Sequence, residues 1–302
     1  MPLPMNAPKF SIVIPHHNTP DLLLRLLNSV PWDLCPEVVV VDDASSEDVR
    51  RELADLQKRF GFGLYRIERH TAGAARNEGL KHVTGEWLLF ADADDYFLPE
   101  AAGLLRSHVS DNADVVYFRI TSTYSDSGKN AYRDRQVTRL FERCRKEHSA
   151  WALRALHTNP WGKMIRRQLV ESRQIRFEEI PSANDAMFSV RVGVEASAVV
   201  IDEHPLYCLT VGDKSMTSNV SKERFESNGE ARLRVNAYLR LHQLGQYQLP
   251  VLGYMLPSFR YGWKFGWRTV KACFSNGNNP WVDAGRVLNP VNFCHSLKSK
   301  PQ

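Results

Sequence analysis

Apolar positions in the first 120 residues follow two alternating periods, and this pattern predicts the order of the elements. Near-continuous apolar runs at residues 10–15 and 38–41 predict buried strands. Leucines recur at helical spacing after Pro20, and acidic residues fill the first turn after Ser46, so helices are predicted there. A short helix at 73–85 and strands at 86–92 and 113–121 follow. This alternation predicts an α/β fold with a mostly parallel sheet flanked by helices.

The pattern of the remaining sequence changes near residue 220. Residues 121–150 are polar and basic, which indicates a loop and a helix, and residues 151–220 mix short helix and strand signals. From Ser221 the pattern becomes helical and then irregular, with a tail rich in Asn and Pro. We therefore expect one domain at 1–220 and a helical or irregular C-terminal extension at 221–302, which contacts an acceptor or a membrane.

Composition limits the environment and the partners of the chain. Its 302 residues carry a net charge of +5, which suits anionic substrates or an anionic membrane surface and does not require nucleic acid. The five cysteines form no CxxC pair, so reduced thiols in a cytosolic protein are predicted. No signal-peptide pattern and no apolar run long enough to cross a membrane is present, so a cytoplasmic location is expected.

Five carboxylates follow two of the predicted strands. Asp42 and Asp43 end one strand, and Asp92, Asp94 and Asp95 end another in "WLLFADADDYFLPE". Ligands of such sheets bind beyond the carboxyl ends of the strands, so we expect these side chains to face one crevice. A D-x-D pair suits a hard divalent cation such as Mg²⁺ or Mn²⁺. The alternative is that Asp94 and Asp95 cap the next helix or line a solvated turn.

The ordered set of motifs resembles glycosyltransferase family 2 with the GT-A fold, a Rossmann-like α/β architecture. The resemblance covers residues 10–221. It rests on "SIVIPHHN", "VVVVDDASSED", "AGAARNEGLKHVTGEWLLFADADD", "NPWGKMIRRQLV", "PSANDAMFSVRVG" and "GDKSMTSNVS".

The resemblance implies a role for each matching residue. His17 takes the position of an aromatic residue that stacks on the base, which is a departure from the family pattern. A divalent Mn²⁺ or Mg²⁺ cofactor would be held by Asp94 and Asp92. Contacts to the sugar or diphosphate would come from Asp95, Lys163 and Lys214, although a solvated surface lysine is the alternative for the last two. The nucleotide would be bound by Pro15, His17, Asn18, Asp42, Asp43, Arg76 and Asp92.

The resemblance also implies a general base before a downstream apolar helix. The family usually has an acidic pair at this position, and here Asn184 replaces the first acid, which leaves Asp185 as the catalytic candidate. The alternative is that Asp185 only caps this helix. Glu178 and Glu179 are further candidates from the preceding loop.

A basic aromatic segment lies in the C-terminal extension. In "SFRYGWKFGWRTVKACF" (258–274), basic residues recur at helical spacing beside an apolar stripe that includes Trp263 and Trp267. Such a helix is typical of segments that bind anionic membrane surfaces, although Gly262 and Gly266 weaken it. The alternative is that its aromatic stripe packs onto the catalytic domain.

The function expected from these features is inverting, metal-dependent sugar transfer. The donor would be a nucleotide-diphosphate sugar, with a UDP-sugar favoured, and the acceptor a hydroxyl of a glycan or lipid-linked glycan. Bacterial surface polysaccharide synthesis is the expected setting, in the cytoplasm or at the inner face of the cell membrane. A haloacid-dehalogenase-type phosphohydrolase and a non-catalytic nucleotide-binding scaffold are the alternatives.

Overall fold

The computed structural model describes residues 9–212 and 221–282. Their backbone forms two compact units. Within the described residues, the first unit comprises 9–179 and 188–212, and the second comprises 180–187 and 221–282. Residues 180–187 group with the C-terminal residues in this division. The domain boundary expected near residue 220 remains a prediction.

The first unit contains one eight-stranded sheet with helices between its strands. Strands β1–β4 are Phe10–His16, Glu37–Asp43, Gly63–Ile67 and Trp87–Phe90, and β5–β8 are Tyr96–Phe97, Val115–Tyr124, Lys163–Arg166 and Val199–Val211. The helices are α1 Pro20–Ser29, α2 Glu47–Phe60, α3 Ala72–Gly79, α4 Ala101–His108, α5 Arg135–Glu147, α6 Trp151–Leu156, α7 Arg167–Ser172 and α8 Ala186–Glu195, the last beginning in the second unit.

The strand order is β3-β2-β1-β4-β7-β6-β8-β5. Strands β1 to β4 are parallel to their neighbours within that group, and β6 is parallel to β8. Strand β7 is antiparallel to β4 and β6, and β5 is antiparallel to β8. The α/β fold expected from the sequence is confirmed, and the sheet is mixed.

The apolar runs of the strands form the core of this unit. Ile12, Val13 and Ile14 of β1 are fully buried, as are Val40 and Val41 of β2, because helices cover the central strands. Helix α3 lies directly on β1: a Cβ atom at Gly79 would come within 2.5 Å of Val13 Cγ1. Because β1 pairs in parallel with β2 on one side and β4 on the other, the carboxyl ends of these three strands lie side by side.

Helix α3 is shorter than the predicted helix at 73–85, since it ends at Gly79. The following residues are bound to the amino ends of β1 and β2 instead of continuing the helix. Thr84 donates its backbone N–H to a Glu37 carboxylate oxygen at 2.6 Å, and the Gly85 N–H donates to Ser11 Oγ at 2.8 Å.

The second unit contains α9 Lys222–Leu241, α10 Leu252–Ser258 and α11 Trp263–Ser275. Leu233, Val251, Tyr254, Met255 and Cys273 form its buried apolar cluster. The predicted basic aromatic helix is interrupted, because Gly262 has φ of +115° and separates a 3₁₀ turn at Phe259–Tyr261 from α11. No helix within residues 9–212 or 221–282 has the length and apolar character needed to cross a membrane.

Candidate active site

The loops after β1 and β2 are joined by a set of hydrogen bonds. His16 and Asp42 are register partners in the two strands, and their side chains are both fully buried, with Nδ1 to Oδ1 at 3.2 Å. The backbone N–H of Asn18 donates to Ser45 Oγ at 2.8 Å, and the Ser46 N–H donates to Asn18 Oδ1 at 2.9 Å. The two predicted nucleotide-binding motifs therefore form one connected surface.

The carboxylate of Asp42 is buried, and its surroundings favour the charged form. Burial by itself would raise its pKa, but hydrogen bonds with His16 and Ser45, and the charge of Arg50, outweigh this and lower the pKa below its ordinary value. Because the side chain is fully buried, Asp42 supports the loop from inside the protein. Its direct contact with a nucleotide remains a prediction.

Asp43 binds the loop that leads into α3. One carboxylate oxygen accepts the Arg69 N–H and the other accepts the Thr71 N–H, both at 2.7 Å. Thr71 in turn caps α3 by accepting the Ala74 N–H. Asp43 therefore has a structural task, and a contact with the nucleotide remains a prediction for this residue as well.

His17 and Asn18 are the exposed part of the first loop, next to half-buried Pro15. His17 Nδ1 donates to the Asp43 carbonyl oxygen at 2.6 Å, while its Nε2 lies 3.1 Å from the Asn18 side-chain amide. These two bonds fix the orientation of the imidazole and leave the ring accessible to solvent. Its position is compatible with stacking on a planar ligand.

Arg76 of α3 reaches the carboxyl end of β4. Its guanidinium is almost fully buried and lies 2.5 Å from Asp92 Oδ1, with its central carbon 5.4 Å from the centre of the Phe177 ring. A paired, buried arginine of this kind fixes the carboxylate it binds. Arg76 therefore forms a largely buried ion pair at the end of β4.

Asp92, Asp94 and Asp95 form one acidic cluster. Each offers a carboxylate oxygen, and these oxygens lie within 4.8 Å of one another. Asp94 is exposed, whereas Asp95 is only 1% exposed and accepts the Thr210 N–H at 2.7 Å. Neither acid caps α4, whose N-cap residue is Glu100, so the capping alternative is excluded.

Desolvation and mutual repulsion raise the pKa of two members of this cluster. For Asp94, desolvation by the surrounding protein and the charge of Asp92 raise the pKa, while Arg133 and Arg25 oppose the change. For Asp95, burial and the charges of Asp92 and Asp94 raise the pKa well above its ordinary value. A bound divalent cation would relieve this repulsion, and carboxylate oxygens are ligands that Mg²⁺ and Mn²⁺ prefer. The donor set therefore fits the predicted cofactor.

Strand β8 and helix α1 support the turn that contains the cluster, which the sequence did not indicate. Arg25 Nη2 donates to Thr210 Oγ1 at 3.0 Å and also to the carbonyl oxygen of Asp94. The Asp92 N–H donates to the Tyr207 hydroxyl at 2.9 Å. These contacts fix both ends of the D-x-D turn, although the residues lie far apart in the sequence.

Lys163 is buried instead of facing a ligand. Its ammonium donates to the carbonyl oxygens of His157 at 2.7 Å and Asn159 at 2.6 Å, and the residue is 1% exposed. The solvated-lysine alternative is therefore wrong, and these bonds are typical of a residue that fixes a loop, so we do not retain Lys163 as a diphosphate contact. Lys214 lies outside the described residues.

Asp185 directly precedes α8 and is partly exposed. It groups with the second unit, so its role as a base or a cap remains a prediction. Of the two further candidates, Glu179 accepts a hydrogen bond from the Asn77 side-chain amide at 3.2 Å.

Comparison with known proteins identifies relatives of both the sequence and the fold. The family profile described as Glycosyl transferase family 2 matches residues 11–173. The chain is 27% identical over 243 residues to the putative glycosyltransferase EpsH of Bacillus subtilis, a match of 77% of this chain and 69% of EpsH. It is 26% identical over 232 residues to a Campylobacter jejuni GalNAc(5)-diNAcBac-PP-undecaprenol beta-1,3-glucosyltransferase, covering 72% of this chain and 70% of that protein.

Longer relatives and solved structures extend the comparison. The poly(ribitol-phosphate) beta-N-acetylglucosaminyltransferase TarS of Staphylococcus aureus is 27% identical over 72% of this chain, which spans only 38% of TarS. The structure of S. aureus TarS 1-349 with UDP-GlcNAc has a TM-score of 0.65 at 22% identity, over 89% of this chain and 80% of that one. The mannosyltransferase PcManGT of Pyrobaculum calidifontis, with GDP-Man and Mn²⁺, has a TM-score of 0.57 at 16% identity, over 98% and 85%. These structures share the fold.

Proposed function

Because the chain belongs to glycosyltransferase family 2, we propose that it transfers a sugar, with inversion, from a nucleotide-diphosphate sugar to an acceptor hydroxyl. The observation that carries this proposal is the acidic cluster of Asp92, Asp94 and Asp95 at the carboxyl end of β4. The cluster follows β4, and the neighbouring strand β1 is followed by the loop of His17 and Asn18, which is bonded to the loop after β2.

Asp94 and Asp92 would hold Mn²⁺ or Mg²⁺, and Asp95 would support the cluster or contact the sugar. The bound cation would offset the charge of the departing diphosphate. Arg76 would keep Asp92 oriented through the ion pair between them. Tyr207 and Thr210 would fix the backbone of the turn, so that the carboxylates need little rearrangement on binding.

The nucleotide would lie on the loops after β1 and β2. His17 would stack on the base, and Pro15 and Asn18 would line the same surface. The ribose and base would be bound by this surface, with Asp42 and Asp43 fixing the loops and accepting further hydrogen bonds where the ligand reaches them. We favour a UDP-sugar because a relative of this fold was solved with UDP-GlcNAc.

Asp185 would act as the general base that takes the proton from the acceptor hydroxyl. Inversion by direct displacement needs one carboxylate near that hydroxyl. The support for Asp185 is its residue type and its position immediately before α8.

The acceptor would be a glycan or a lipid-linked glycan in bacterial surface polysaccharide synthesis. This proposal draws on the names of the relatives, which include a poly(ribitol-phosphate) and an undecaprenol-linked acceptor. With such an acceptor, the enzyme would act in the cytoplasm or at the inner face of the cell membrane.

The decisive experiment incubates the full-length protein with a panel of nucleotide sugars, a glycan acceptor mixture and Mn²⁺. We expect release of nucleoside diphosphate, and a loss of at least about 100-fold in Asp94→Asn, since one metal ligand is removed while the side-chain volume is kept. Asp126→Asn, in an exposed loop, is the matched control and should keep full activity.

Two other outcomes would refute the proposal. Phosphate release from phosphomonoesters without any nucleoside diphosphate would favour the phosphohydrolase. Binding of the nucleotide sugar without turnover, in wild type and Asp94→Asn alike, would favour the non-catalytic scaffold.

A further inference from the structure

The second unit carries an exposed aromatic stripe on α11. Trp263, Trp267 and Phe274 are 70%, 55% and 56% exposed, whereas Phe265 and Cys273 of the same helix are buried in the unit. At about 100° per residue, the three exposed rings fall within about 40° of one another around the helix axis. Large exposed apolar side chains grouped in this way mark an interaction surface.

The stripe is ordered by contacts among its own rings. Trp263 and Trp267 lie 6.1 Å apart between ring centroids, and Phe259 lies 5.0 Å and 5.8 Å from them. Gly266 makes this arrangement possible, because a Cβ atom there would come within 2.3 Å of the Phe259 ring. A glycine that costs helix propensity thus allows Phe259 to support both tryptophans.

Basic residues flank the stripe. Lys264 and Lys271 are exposed and lie at about 80–100° from Trp263 around the helix, so they border the aromatic rings. Arg268 lies further round, where it pairs with Glu226. From residue 231 to residue 282 the sequence has seven Lys and Arg and no Asp or Glu. The stripe therefore lies in a cationic part of the chain.

We infer that this face of α11 binds an anionic lipid surface, with Trp263, Trp267 and Phe274 entering the interface and Lys264 and Lys271 contacting lipid headgroups. Tryptophan is enriched at membrane interfaces because its indole combines an apolar ring system with a polar N–H group. Cationic helices with this pattern lie in the plane of the interface. The link to a lipid-linked acceptor rests on the proposed function, whereas the surface itself does not.

The test is flotation of the full-length protein with vesicles of phosphatidylglycerol and phosphatidylcholine in equal parts, compared with phosphatidylcholine alone. We expect the wild type to float with the anionic vesicles only, and less at high salt. Reversal of both lysines in Lys264→Glu/Lys271→Glu should weaken partitioning by at least about 25-fold, since each charge near such a surface contributes on the order of fivefold. Trp263→Ser/Trp267→Ser should also abolish flotation.

Trp281→Ser is the matched control, because Trp281 is 72% exposed but lies outside α11, and it should float like the wild type. Quenching of tryptophan fluorescence by brominated lipid gives a second readout, which should persist in Trp281→Ser and disappear in Trp263→Ser/Trp267→Ser. Absence of wild-type flotation, or undiminished flotation of both face variants, would overturn the inference. So would a lipid-free dimer that dissociates in Trp263→Ser/Trp267→Ser, since the face would then bind a second copy.

The same experiment separates this inference from the proposed function. Asp94→Asn should float like the wild type, and the face variants should release nucleoside diphosphate at the wild-type rate with a soluble acceptor. If the protein floats but has no transfer activity, the inference that α11 binds lipid would stand, and only the proposed function would be refuted.

Discussion

The two adjacent histidines after β1 have opposite environments. His16 is buried and bonded on both ring nitrogens, to the Asp42 carboxylate and to the Thr19 N–H at 3.2 Å. His17 is exposed and bonded to the Asp43 carbonyl oxygen. The end of the strand accounts for the difference, because β1 ends at His16 and His17 lies in the loop that follows it. His16 is thus a positioning residue for the predicted nucleotide loops.

His16→Ala should lower the free energy of unfolding by about 2–4 kcal/mol, because it removes the imidazole that hydrogen-bonds the fully buried Asp42 carboxylate. His17→Ala is the matched variant and should change that free energy by no more than about 0.5 kcal/mol while raising the KM for the donor. Urea unfolding and donor kinetics measure the two effects. Equal stability losses in both variants would contradict this assignment.

The sequence predicts some of these residues and cannot predict others. The D-x-D pattern after an apolar strand identified Asp92, Asp94 and Asp95 as a cluster, because chain neighbours at a strand end stay together. Thr210 and Tyr207 contact that cluster from more than 110 residues away. Their approach depends on the position of β8 in the sheet, and no local pattern encodes that position.

At the scale of elements, continuous apolar runs predicted β1, β2, β4 and β6, because a strand covered on both faces needs apolar residues throughout. Strand β5 has only two residues and follows the acids directly, so it has no periodicity to detect. The break at Gly262 could not be predicted from the local pattern either. The residues around it predict one helix, and the positive φ of Gly262 divides that helix.

The contact between α3 and β1 gives a test at this scale. Gly79→Ala should destabilise the protein by about 1–3 kcal/mol, because the added methyl group would meet Val13 in a packed core. Gly103→Ala in α4 is the matched control, since no heavy atom outside its chain neighbours and the backbone of its own helix lies within 4 Å of its Cβ position, and it should stabilise by about 0.4–1 kcal/mol. Thermal or urea unfolding compares them, and opposite signs are the expected result.

At the scale of the whole molecule, the proposed donor site belongs to one unit, and the proposed base and lipid-binding face belong to the other. The acidic cluster, the predicted nucleotide loops and the sheet all belong to the first unit, whereas the aromatic stripe and Asp185 belong to the second. The family profile ends at residue 173, before both of the latter. The proposed donor site thus lies within the residues that the family profile matches, whereas the proposed base and the lipid-binding face lie outside them.

Bound metal should stabilise the protein, because the folded state holds the three carboxylates together as one donor set for the cation. A ligand at about 100 times its Kd adds about 2.7 kcal/mol to the free energy of unfolding. For a chain of 302 residues that corresponds to a rise in Tm of roughly 4 °C. Thermal unfolding with Mn²⁺ and a nucleoside diphosphate should show this rise in the wild type and in Asp126→Asn, and little of it in Asp94→Asn. Since this readout needs no acceptor, an equal rise in Asp94→Asn would show that the cation binds elsewhere and would remove the cluster from the proposed mechanism.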